Sequence, residues 1–465
     1  MNVEIIDGTT EFEIHYPVVI VGAGACGLTA ALAVRDAGHE VLVLEQDQWL
    51  MGTTAMSTGL IPAAGTAEQK AEGIEDSPAV FAADLLRKAQ NGSDPAVVQK
   101  LAEESSDTIS WLRDQHNVPL SLVSGFLYPG HSAKRMYGSP GRSGAELMAS
   151  LELATDKSGA DILTEALVED LVVDSDKRVL GVRIVRPDGA VEEVGCDALI
   201  LACCGFAGNA DMVNQYLPEM SDATFHGHPG NKGHAIEWGK LLGAELSDMD
   251  AYQGHGGLAA GHAIPILWPL IMEGGFQVNT LGERFSDESK GYSEQAVKVL
   301  AQPNKIAWSI FDQRLYELMI QFEDFKSAVE AGAIVQAGDV HSLAEKIKVP
   351  AESLQATMQK VAASASGEAD DEFARDFSKT PTLSAPFYAA RVTGALFHTQ
   401  GGLAVDTDAR VLDKQGCALP NMYAGGGAAR GISGSGASGY IAGNGLLTAT
   451  GLGKIAGRCA ASSLS

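Results

Sequence analysis

A glycine-rich turn between a buried strand and a helix is the feature that most constrains this chain. Residues 18–21 form an apolar run without alternation, as expected for a parallel strand covered on both faces. The Gly-x-Gly-x-x-Gly turn at 22–27 follows, and a helix is predicted over 28–37. A second apolar run at 41–44 ends at Glu45, 18 residues after the last glycine of the turn. This strand–helix–strand pattern with its terminal acid predicts a Rossmann-like unit that binds a dinucleotide.

Each residue of the turn has a separate role in such a unit. Gly22 permits the tight turn, Gly24 lets a pyrophosphate approach the backbone, and Gly27 lets the helix pack closely on the sheet. The helix start near Ala25 presents unpaired N–H groups and the positive end of the helix dipole to the phosphates. Glu45 is expected to accept hydrogen bonds from a ribose diol.

The composition excludes several classes of partner. The chain has 465 residues and a formal net charge of −26, which repels nucleic acid and anionic lipid, so neither is expected to bind. No apolar stretch reaches the roughly 18 residues that span a bilayer, and the N-terminus lacks the basic and apolar regions of a signal peptide. The six cysteines have no metal-ligand spacing. We therefore expect a cytoplasmic protein with no membrane span and no metal site.

Length and patterning predict more than one domain, since 465 residues exceed what one ordinary core holds. An antiparallel meander is predicted from strands at 166–173, 179–185 and 191–194, and a further buried strand at 198–202. Helices are predicted at 80–115, 143–155, 294–301, 311–331, 340–347, 351–366 and 446–456.

Several segments beyond the turn resemble the flavoprotein family of fumarate reductases and 3-ketosteroid dehydrogenases. Residues 51–59 are small and hydroxylated, as in the family's loop around the diphosphate and flavin. Leu201–Asn209 is similar to the family's ATGGFAGN. The remaining similar segments are 231–236 (with His234 where the family has Asp), Gly282–Phe285 in the GxRF pattern, His398–Gly402 in the HTxGG pattern, and Met422–Gly425.

The resemblance implies an α/β fold with two parts. One is a Rossmann-like FAD-binding domain, with a parallel sheet and an inserted β-meander, over 1–250 and 386–465. The other is a smaller α+β capping or substrate domain over 251–385. It also implies FAD as the cofactor, contacted by Gly22, Gly24, Ala25, Gly27, Glu45, Thr53, Thr54, Ser57, Gly59, Val168, Gly205, Asn209, Gly425 and Gly426.

Two departures from the family pattern concern how the flavin is held. The family's acid or amide for the ribityl chain is replaced by glycine at 425–427, so another group or water must make that bond. Some relatives attach the flavin to a histidine in the small-residue loop, but residues 51–59 contain none. We therefore expect noncovalent FAD.

Two segments of this chain are similar to segments of the fumarate reductases, but each has a tyrosine where those enzymes have an arginine. The arginine that delivers a proton corresponds to Tyr292, and the arginine that clamps a carboxylate corresponds to Tyr440. The 3-ketosteroid dehydrogenases resemble this chain at both places, and the resemblance implies that Tyr292 removes a proton beside a ketone while Tyr440 binds the ketone oxygen. A backbone N–H near Asn444 is the expected second donor to that oxygen.

Further candidates have less specific support. Tyr128 or Tyr137 could assist ionisation of the tyrosine base, whose ordinary pKa near 10 makes it a poor base. His398 corresponds to a histidine that binds a substrate carboxylate in fumarate reductases, so its presence suggests a ketone with an acidic or polar group. An equal alternative is that His398 bonds only to the flavin or to the backbone. His255 is placed for the other end of the substrate.

These residues predict an FAD-dependent oxidoreductase acting on CH–CH groups. The leading hypothesis is a desaturase that introduces a C=C bond next to a ring ketone, either a 3-ketosteroid or a small cyclic ketone such as 4-oxocyclohexanecarboxylate. The alternative is an ene-reductase of the fumarate or urocanate type, and a third is a noncatalytic electron-carrying subunit. We also expect an external electron acceptor. The resemblance does not decide whether it is oxygen, a quinone or another protein.

Overall fold

The computed structural model describes residues 2–5 and 12–464. The strands in this part of the chain are β1 Asn2–Ile5, β2 Ile14–Val21, β3 Val41–Leu44, β4 Ile61–Pro62, β5 Ser121–Val123, β6 Met136–Gly138, β7 Asp161–Leu163, β8 Leu167–Val173, β9 Val179–Val185, β10 Val191–Leu201, β11 Thr224–Phe225, β12 Leu246–Ser247, β13 Tyr252–Ala259, β14 Phe276–Val278, β15 Ala307–Asp312, β16 Ile334–Ala337, β17 Phe387–Thr399, β18 Gly402–Leu403, β19 Arg410–Leu412 and β20 Ala418–Ala424. The α-helices are α1 Ala25–Asp36, α2 Gly52–Ala55, α3 Ala67–Ala71, α4 Pro78–Lys88, α5 Pro95–Asp114, α6 Gly144–Ser158, α7 Ala210–Tyr216, α8 His234–Leu242, α9 Pro269–Met272, α10 Tyr292–Leu300, α11 Gln313–Met319, α12 Glu323–Glu330, α13 Val340–Ile347, α14 Ala351–Ser366 and α15 Asn444–Ser462.

The larger sheet has nine strands and carries the predicted nucleotide-binding unit. Its order is β1-β8-β9-β10-β2-β3-β7, with β20 on β10 and β19 on β20. Strands β10, β2, β3 and β7 are parallel, and β20 joins β10 in the same direction. Strands β8, β9 and β10 form the antiparallel meander. The predicted α/β class, with a parallel sheet and an inserted meander, is confirmed.

Strand β10 corrects the prediction of two separate strands at 191–194 and 198–202. It runs unbroken over Val191–Leu201, first antiparallel to β9 and then parallel to β2. Gly195 pairs in both ladders rather than ending a strand. A Cβ there would lie 2.7 Å from the Phe12 ring, so this glycine permits close packing and marks no turn.

The second sheet has six strands, in the order β11-β17-β15-β14 with β13 and β16 also paired to β17. It draws β11 and β17 from outside 251–385, so it extends beyond the segment predicted as a capping domain. The division of the chain into domains at those boundaries stays a prediction.

Two of the predicted helices are each divided. The segment 80–115 contains α4 and α5, because Asp94 caps a new helix by accepting the Ala96 N–H at 2.9 Å. The segment 311–331 begins in β15, after which Asp312 caps α11 by accepting the Leu315 N–H at 3.1 Å. The break between α11 and α12 falls at buried Phe322.

Helix α15 is longer than the predicted 446–456 and links the sheet to the site. It packs lengthwise on α1 through glycines, since a Cβ at Gly453 would lie 2.5 Å from the Cys26 carbonyl oxygen and one at Gly457 2.4 Å from that of Ala30. This close packing fixes α15 on α1, and residues near the start of α15, including Gly445 and Thr448, line a large cavity. Within the described residues, none of the helices combines the length and apolarity needed to cross a lipid bilayer.

Candidate active site

A large cavity extends from the glycine-rich turn to the strands of the second sheet. Its lining residues surround about 1780 Å³ of space that protein atoms do not fill, part of which is open to solvent. The turn and residues 52–58 line one end, which we call the nucleotide end, and Tyr292, His398 and Tyr440 line the other, which we call the tyrosine end.

The nucleotide end has the geometry expected of a phosphate cradle. A Cβ at Gly22, which has a φ of +103°, would lie 2.6 Å from the Ala202 carbonyl oxygen, so only glycine fits this turn. Glu45 ends β3 at the cavity wall, where its Oε2 accepts the Ala23 N–H at 2.9 Å and its Oε1 accepts the Asp47 N–H at 3.1 Å. Burial raises the pKa of Glu45 above its ordinary value, although these N–H donors oppose the rise.

The hydroxylated loop lies directly against this turn. Thr54 Oγ1 accepts the Ala25 N–H at 3.2 Å, and Ser57 Oγ donates to the Thr54 carbonyl oxygen at 2.7 Å. Thr53 Oγ1 accepts from Asn231 Nδ2 at 2.8 Å. The loop is therefore fixed to α1 by its own side chains, as a surface that surrounds a diphosphate requires.

The predicted cofactor contacts divide into two groups. The residues that line the cavity are Gly22, Gly24, Ala25, Glu45, Thr53, Thr54, Ser57, Val168 and Gly426. The residues outside its wall are Gly27, Gly59, Gly205, Asn209 and Gly425.

Each residue of the second group packs closely against other protein atoms or is hydrogen-bonded to them. A Cβ at Gly27 would lie 1.8 Å from the Gly22 carbonyl oxygen, and Cβ atoms at Gly59, Gly205 and Gly425 would meet other protein atoms at 2.0–2.8 Å. The Asn209 side chain caps α7, accepting the Met212 N–H at 3.2 Å and donating to the Lys232 carbonyl oxygen at 3.0 Å. These residues lie behind the residues that line the cavity.

At the tyrosine end, the Tyr292 and Tyr440 rings pack edge to face. Their ring centroids lie 5.9 Å apart at 61°. Both residues line the cavity, so the hydroxyl of each can donate a hydrogen bond to a ligand bound there. The start of α15 lies beside the Tyr440 hydroxyl, since a Cβ at Gly445 would lie 3.7 Å from the Tyr440 oxygen.

The tyrosines at this end are protonated at neutral pH. Burial raises the pKa of Tyr292 well above its ordinary value, and the nearby Tyr440, Tyr128 and Glu294 raise it further. Burial likewise raises the pKa of Tyr440 and of Tyr128. All three residues line the cavity, so the wall offers hydroxyl donors and no phenolate.

Tyr128 and Tyr137, the two candidate helpers, have different surroundings. Tyr128 lines the cavity, and the Arg142 charge partly opposes the rise of its pKa. Tyr137 is fully buried outside the cavity wall, where its hydroxyl bonds to Thr66 and Glu68. A helper role therefore remains open only for Tyr128.

The two predicted histidines face the cavity in the neutral form. Burial lowers the pKa of His255 to about 3 and that of His398 to about 4. His255 Nδ1 accepts the Gly257 N–H at 3.1 Å, so its neutral ring carries the proton on Nε2. The His398 ring lies 5.7 Å from the Tyr440 ring, and a Cβ at Gly445 would lie 2.9 Å from His398 Nε2.

Sequence reasoning missed three residues at this end. Phe397 stacks on His255 with centroids 5.0 Å apart at 8°, and Trp268 meets the same ring edge-on at 5.6 Å. Asp324 lines the wall from the first turn of α12. Phe397 stands next to a motif residue and could have been found by that signal, whereas Trp268 and Asp324 stand in segments with no motif.

The charge of the cavity wall decides which ligands it suits. Among the described residues that line it, none is lysine or arginine, and the acids are Glu45 at the nucleotide end and Asp324. With neutral histidines and protonated tyrosines, none of the described residues that line the tyrosine end is a cation that could pair with a carboxylate, and Arg142, whose charge acts on Tyr128, lies outside the lining. Un-ionised hydrogen-bonding groups are therefore the ligands it fits.

Replacing Glu45 by alanine is expected to weaken FAD binding about 10- to 100-fold. The reason is the loss of charged hydrogen bonds that fix the turn and face the ribose, worth about 1.5–3 kcal/mol in total. Flavin fluorescence during FAD titration measures the change. Glu40→Ala, an exposed acid just before the same strand, serves as the control and should bind FAD normally. An unaltered Kd in Glu45→Ala would contradict the assigned role.

Comparison with known proteins identifies relatives over nearly the whole chain. A family model described as FAD binding domain matches residues 17–446. A probable fumarate reductase of Shewanella frigidimarina is 29% identical over 449 residues, covering 96% of this chain and 74% of the relative. The open conformation of a flavocytochrome c3 fumarate reductase superimposes with a TM-score of 0.81 at 28% identity, covering 97% of this chain and 79% of the other.

A ketosteroid enzyme has a similar fold. The structure of 3-ketosteroid-Δ4-(5α)-dehydrogenase from Rhodococcus jostii, in complex with 4-androstene-3,17-dione, superimposes with a TM-score of 0.78. It is 24% identical and covers 99% of this chain and 100% of its own. At that identity the likeness shows the fold alone.

Proposed function

The chain belongs to the family of FAD binding domain proteins, and from that premise we propose that it is a ketone desaturase. It is an FAD-dependent oxidoreductase acting on carbon–carbon bonds, and the reaction we assign is the introduction of a C=C bond α,β to the carbonyl of a ring ketone. The observation that supports this most strongly is the packing of Tyr292 against Tyr440 in a cavity whose described lining residues include no lysine or arginine. Noncovalent attachment of the FAD is part of the proposal.

Tyr440 is the proposed carbonyl-binding group. Its hydroxyl borders the cavity, and the Tyr292 ring and the start of α15 pack beside it. A donor positioned in this way stabilises the negative charge that develops on the ketone oxygen when a neighbouring carbon loses its proton. The neutral His398 ring packs beside Tyr440, with ring centroids 5.7 Å apart.

Tyr292 is the proposed proton-transfer group. It lies against Tyr440 and borders the same cavity, so it can reach a carbon next to a carbonyl bound there. FAD, when bound, supplies the two-electron acceptor that takes a hydride from the β carbon. The ketone thus loses one hydride and one proton, and the proton goes to the small fraction of Tyr292 that is ionised, since the protonated phenol cannot accept it. Electrons then leave to an external acceptor such as oxygen, a quinone or another protein.

The neutral wall narrows the range of ketones. A 3-ketosteroid or an unsubstituted small ring ketone brings no charge into the cavity. A ring ketone with a carboxylate, such as 4-oxocyclohexanecarboxylate, would leave that carboxylate without a cation, because His398 stays neutral. Un-ionised ring ketones are therefore the preferred class.

A second candidate is reduction of an un-ionised enone by the same groups in reverse. Two observations favour it. The raised pKa of Tyr292 keeps its proton in place, as a proton donor requires, and a relative at 29% identity bears the name fumarate reductase. The absence of lysine and arginine from the described cavity wall disfavours fumarate itself in this protein.

Anaerobic mixing separates the two directions. Oxidised holoenzyme mixed with cyclohexanone or a saturated 3-ketosteroid should lose its flavin absorbance if the protein is a desaturase. Chemically reduced holoenzyme mixed with 2-cyclohexenone should regain it if the protein is a reductase. Bleaching by neither ketone, together with reoxidation by the enone, would overturn the desaturase assignment in favour of the second candidate.

The direction of the reaction also sets its pH dependence. A raised pKa means that Tyr292 is protonated through pH 9, so the fraction able to accept a proton grows tenfold for each pH unit. Desaturation should therefore show a kcat that rises with a slope near +1 in log kcat from pH 6 to 9, whereas enone reduction should stay flat. Single-turnover flavin absorbance measures both. A flat profile for desaturation would contradict Tyr292 as the base.

A further inference from the structure

Asp324 is an acidic residue in the cavity wall that the proposed chemistry does not use. It lies in the first turn of α12, between Phe322 and Phe325, which are 2% and 0% exposed. Those buried rings fix the turn, so the direction of the Asp324 side chain is set by packing. The Phe322 ring in turn lies 5.7 Å from Phe126, which meets Tyr128 at 4.9 Å. Asp324 therefore belongs to the side of the cavity that Tyr128 lines.

The Asp324 carboxylate has no protein partner in the described chain. No hydrogen bond or ion pair there involves it, and none of the described residues that line the cavity is lysine or arginine. Arg142 lies over the Phe322 ring instead, with its guanidinium carbon 5.6 Å from the ring centroid. Its neighbour Glu323 differs in both respects, since it is exposed and pairs with Lys326 at 2.6 Å. Two adjacent acids of one helical turn thus have opposite surroundings, one in solvent and one in the cavity.

Asp324 is partly exposed, and its side chain lines the cavity without a hydrogen bond or ion pair in the described chain, so its surroundings indicate a ligand. Burial raises the pKa of Asp324 to about 6, with the Glu323 charge adding to the rise. The carboxylate accepts hydrogen bonds and attracts positive charge, and it repels a second carboxylate. A hydroxyl or ammonium group entering the cavity would give it the partner that the protein does not supply.

We propose that Asp324 is a specificity-determining residue that binds a hydroxyl or ammonium group of the substrate, at a point away from the carbonyl held by Tyr440. This assignment rests on the proposed ketone chemistry and deepens it. It defines the substrate class as un-ionised or cationic ring ketones that carry a hydrogen-bond donor. It also adds a second reason, beyond the missing cation, why a ketone carboxylate is excluded.

Two series of ring ketones test the proposal on the oxidised holoenzyme. The first consists of cyclohexanones with a methyl, hydroxymethyl, ammoniomethyl or carboxylate group at C4. The second carries the same four groups at the far end of a 4-phenyl ring and so reaches further. The Kd of each is measured anaerobically from the change it causes in visible flavin absorbance, and bleaching is recorded in the same cuvette.

The expected result is that hydroxymethyl and ammoniomethyl ketones bind at least tenfold more tightly than the methyl ketone in one series, with the carboxylate weakest. Asp324→Ala should abolish both preferences, and Asp324→Asn should abolish the ammonium preference while keeping part of the hydroxyl preference. Glu323→Ala, which removes the adjacent acid outside the cavity, should keep both.

Two results would overturn the assignment of Asp324. One is a wild-type protein that binds all methyl, hydroxymethyl and ammoniomethyl ketones equally in both series. The other is a preference that persists in Asp324→Ala. In either case, bleaching by the methyl ketones would show that the proposed desaturase function stands without it. If no ketone of either series perturbs or bleaches the flavin, the ketone function fails as well.

Discussion

Replacing Tyr440 by phenylalanine is expected to lower kcat about 10²- to 10³-fold while FAD remains bound. The ring stays and packs as before, but the O–H that donates to the developing charge on the ketone oxygen is lost, and such donors contribute about 2.7–4 kcal/mol. Steady-state turnover of a ring ketone, with flavin content measured on the same sample, checks this.

Tyr423→Phe is the matched control for that variant. Tyr423 is 4% exposed and ends β20, and its hydroxyl faces the Cys459 carbonyl oxygen at 3.5 Å, outside the cavity. Removing the Tyr423 hydroxyl should leave turnover within about twofold of the wild-type value, as expected for a group remote from the reacting atoms. Equal activity of Tyr440→Phe and Tyr423→Phe would remove Tyr440 from the carbonyl site.

Tyr292→Phe is expected to reduce turnover by about 10²- to 10⁴-fold, the usual contribution of a positioned proton-transfer group. The variant should retain FAD, because Tyr292 belongs to the tyrosine end of the cavity and not to the nucleotide end. It should also lose the rise of kcat with pH, which a merely structural role would not affect. Single-turnover flavin reduction across pH 6–9 measures both effects.

Tyr316→Phe serves as the control for Tyr292→Phe. Tyr316 lies in α11 and stacks on Tyr388 with centroids 5.0 Å apart, and it does not line the cavity. It should keep both the rate and the pH profile of the wild type. Full activity in Tyr292→Phe would transfer the proton role to another group, with Tyr128 the next candidate.

The nucleotide end was predictable because its main residues belong to one short segment of the sequence. Gly22 and Glu45 are 23 positions apart, yet one strand–helix–strand unit brings both to the cavity. The same reasoning placed Asn209 and Gly205 at the cofactor, but neither is among the residues that line the cavity. A glycine or amide in a motif can pack against the protein as well as against a ligand, and Thr399 occupies the space beside Gly205.

The tyrosine end was predictable only in part because it is assembled from distant segments. Tyr292 and Tyr440 could be named from resemblance, but the ring contact between them joins residues that tertiary packing alone brings together. Asp324 carried no local signal, since a helix-start acid is most often a solvated dipole partner like Glu323. The protonation of the tyrosines also depends on burial, which no motif records.

The most direct test of the central claim compares a neutral and a dianionic alkene on the same reduced holoenzyme. Stopped-flow absorbance would follow flavin reoxidation by 2-cyclohexenone and by fumarate under anaerobic conditions at pH 7. Since the two directions of the reaction share one transition state, the comparison holds whichever direction is physiological. We predict that the enone reoxidises the flavin and that fumarate does so at least 10²-fold more slowly, because the tyrosine end has no cation for its carboxylates. Faster reoxidation by fumarate than by the enone would contradict the account.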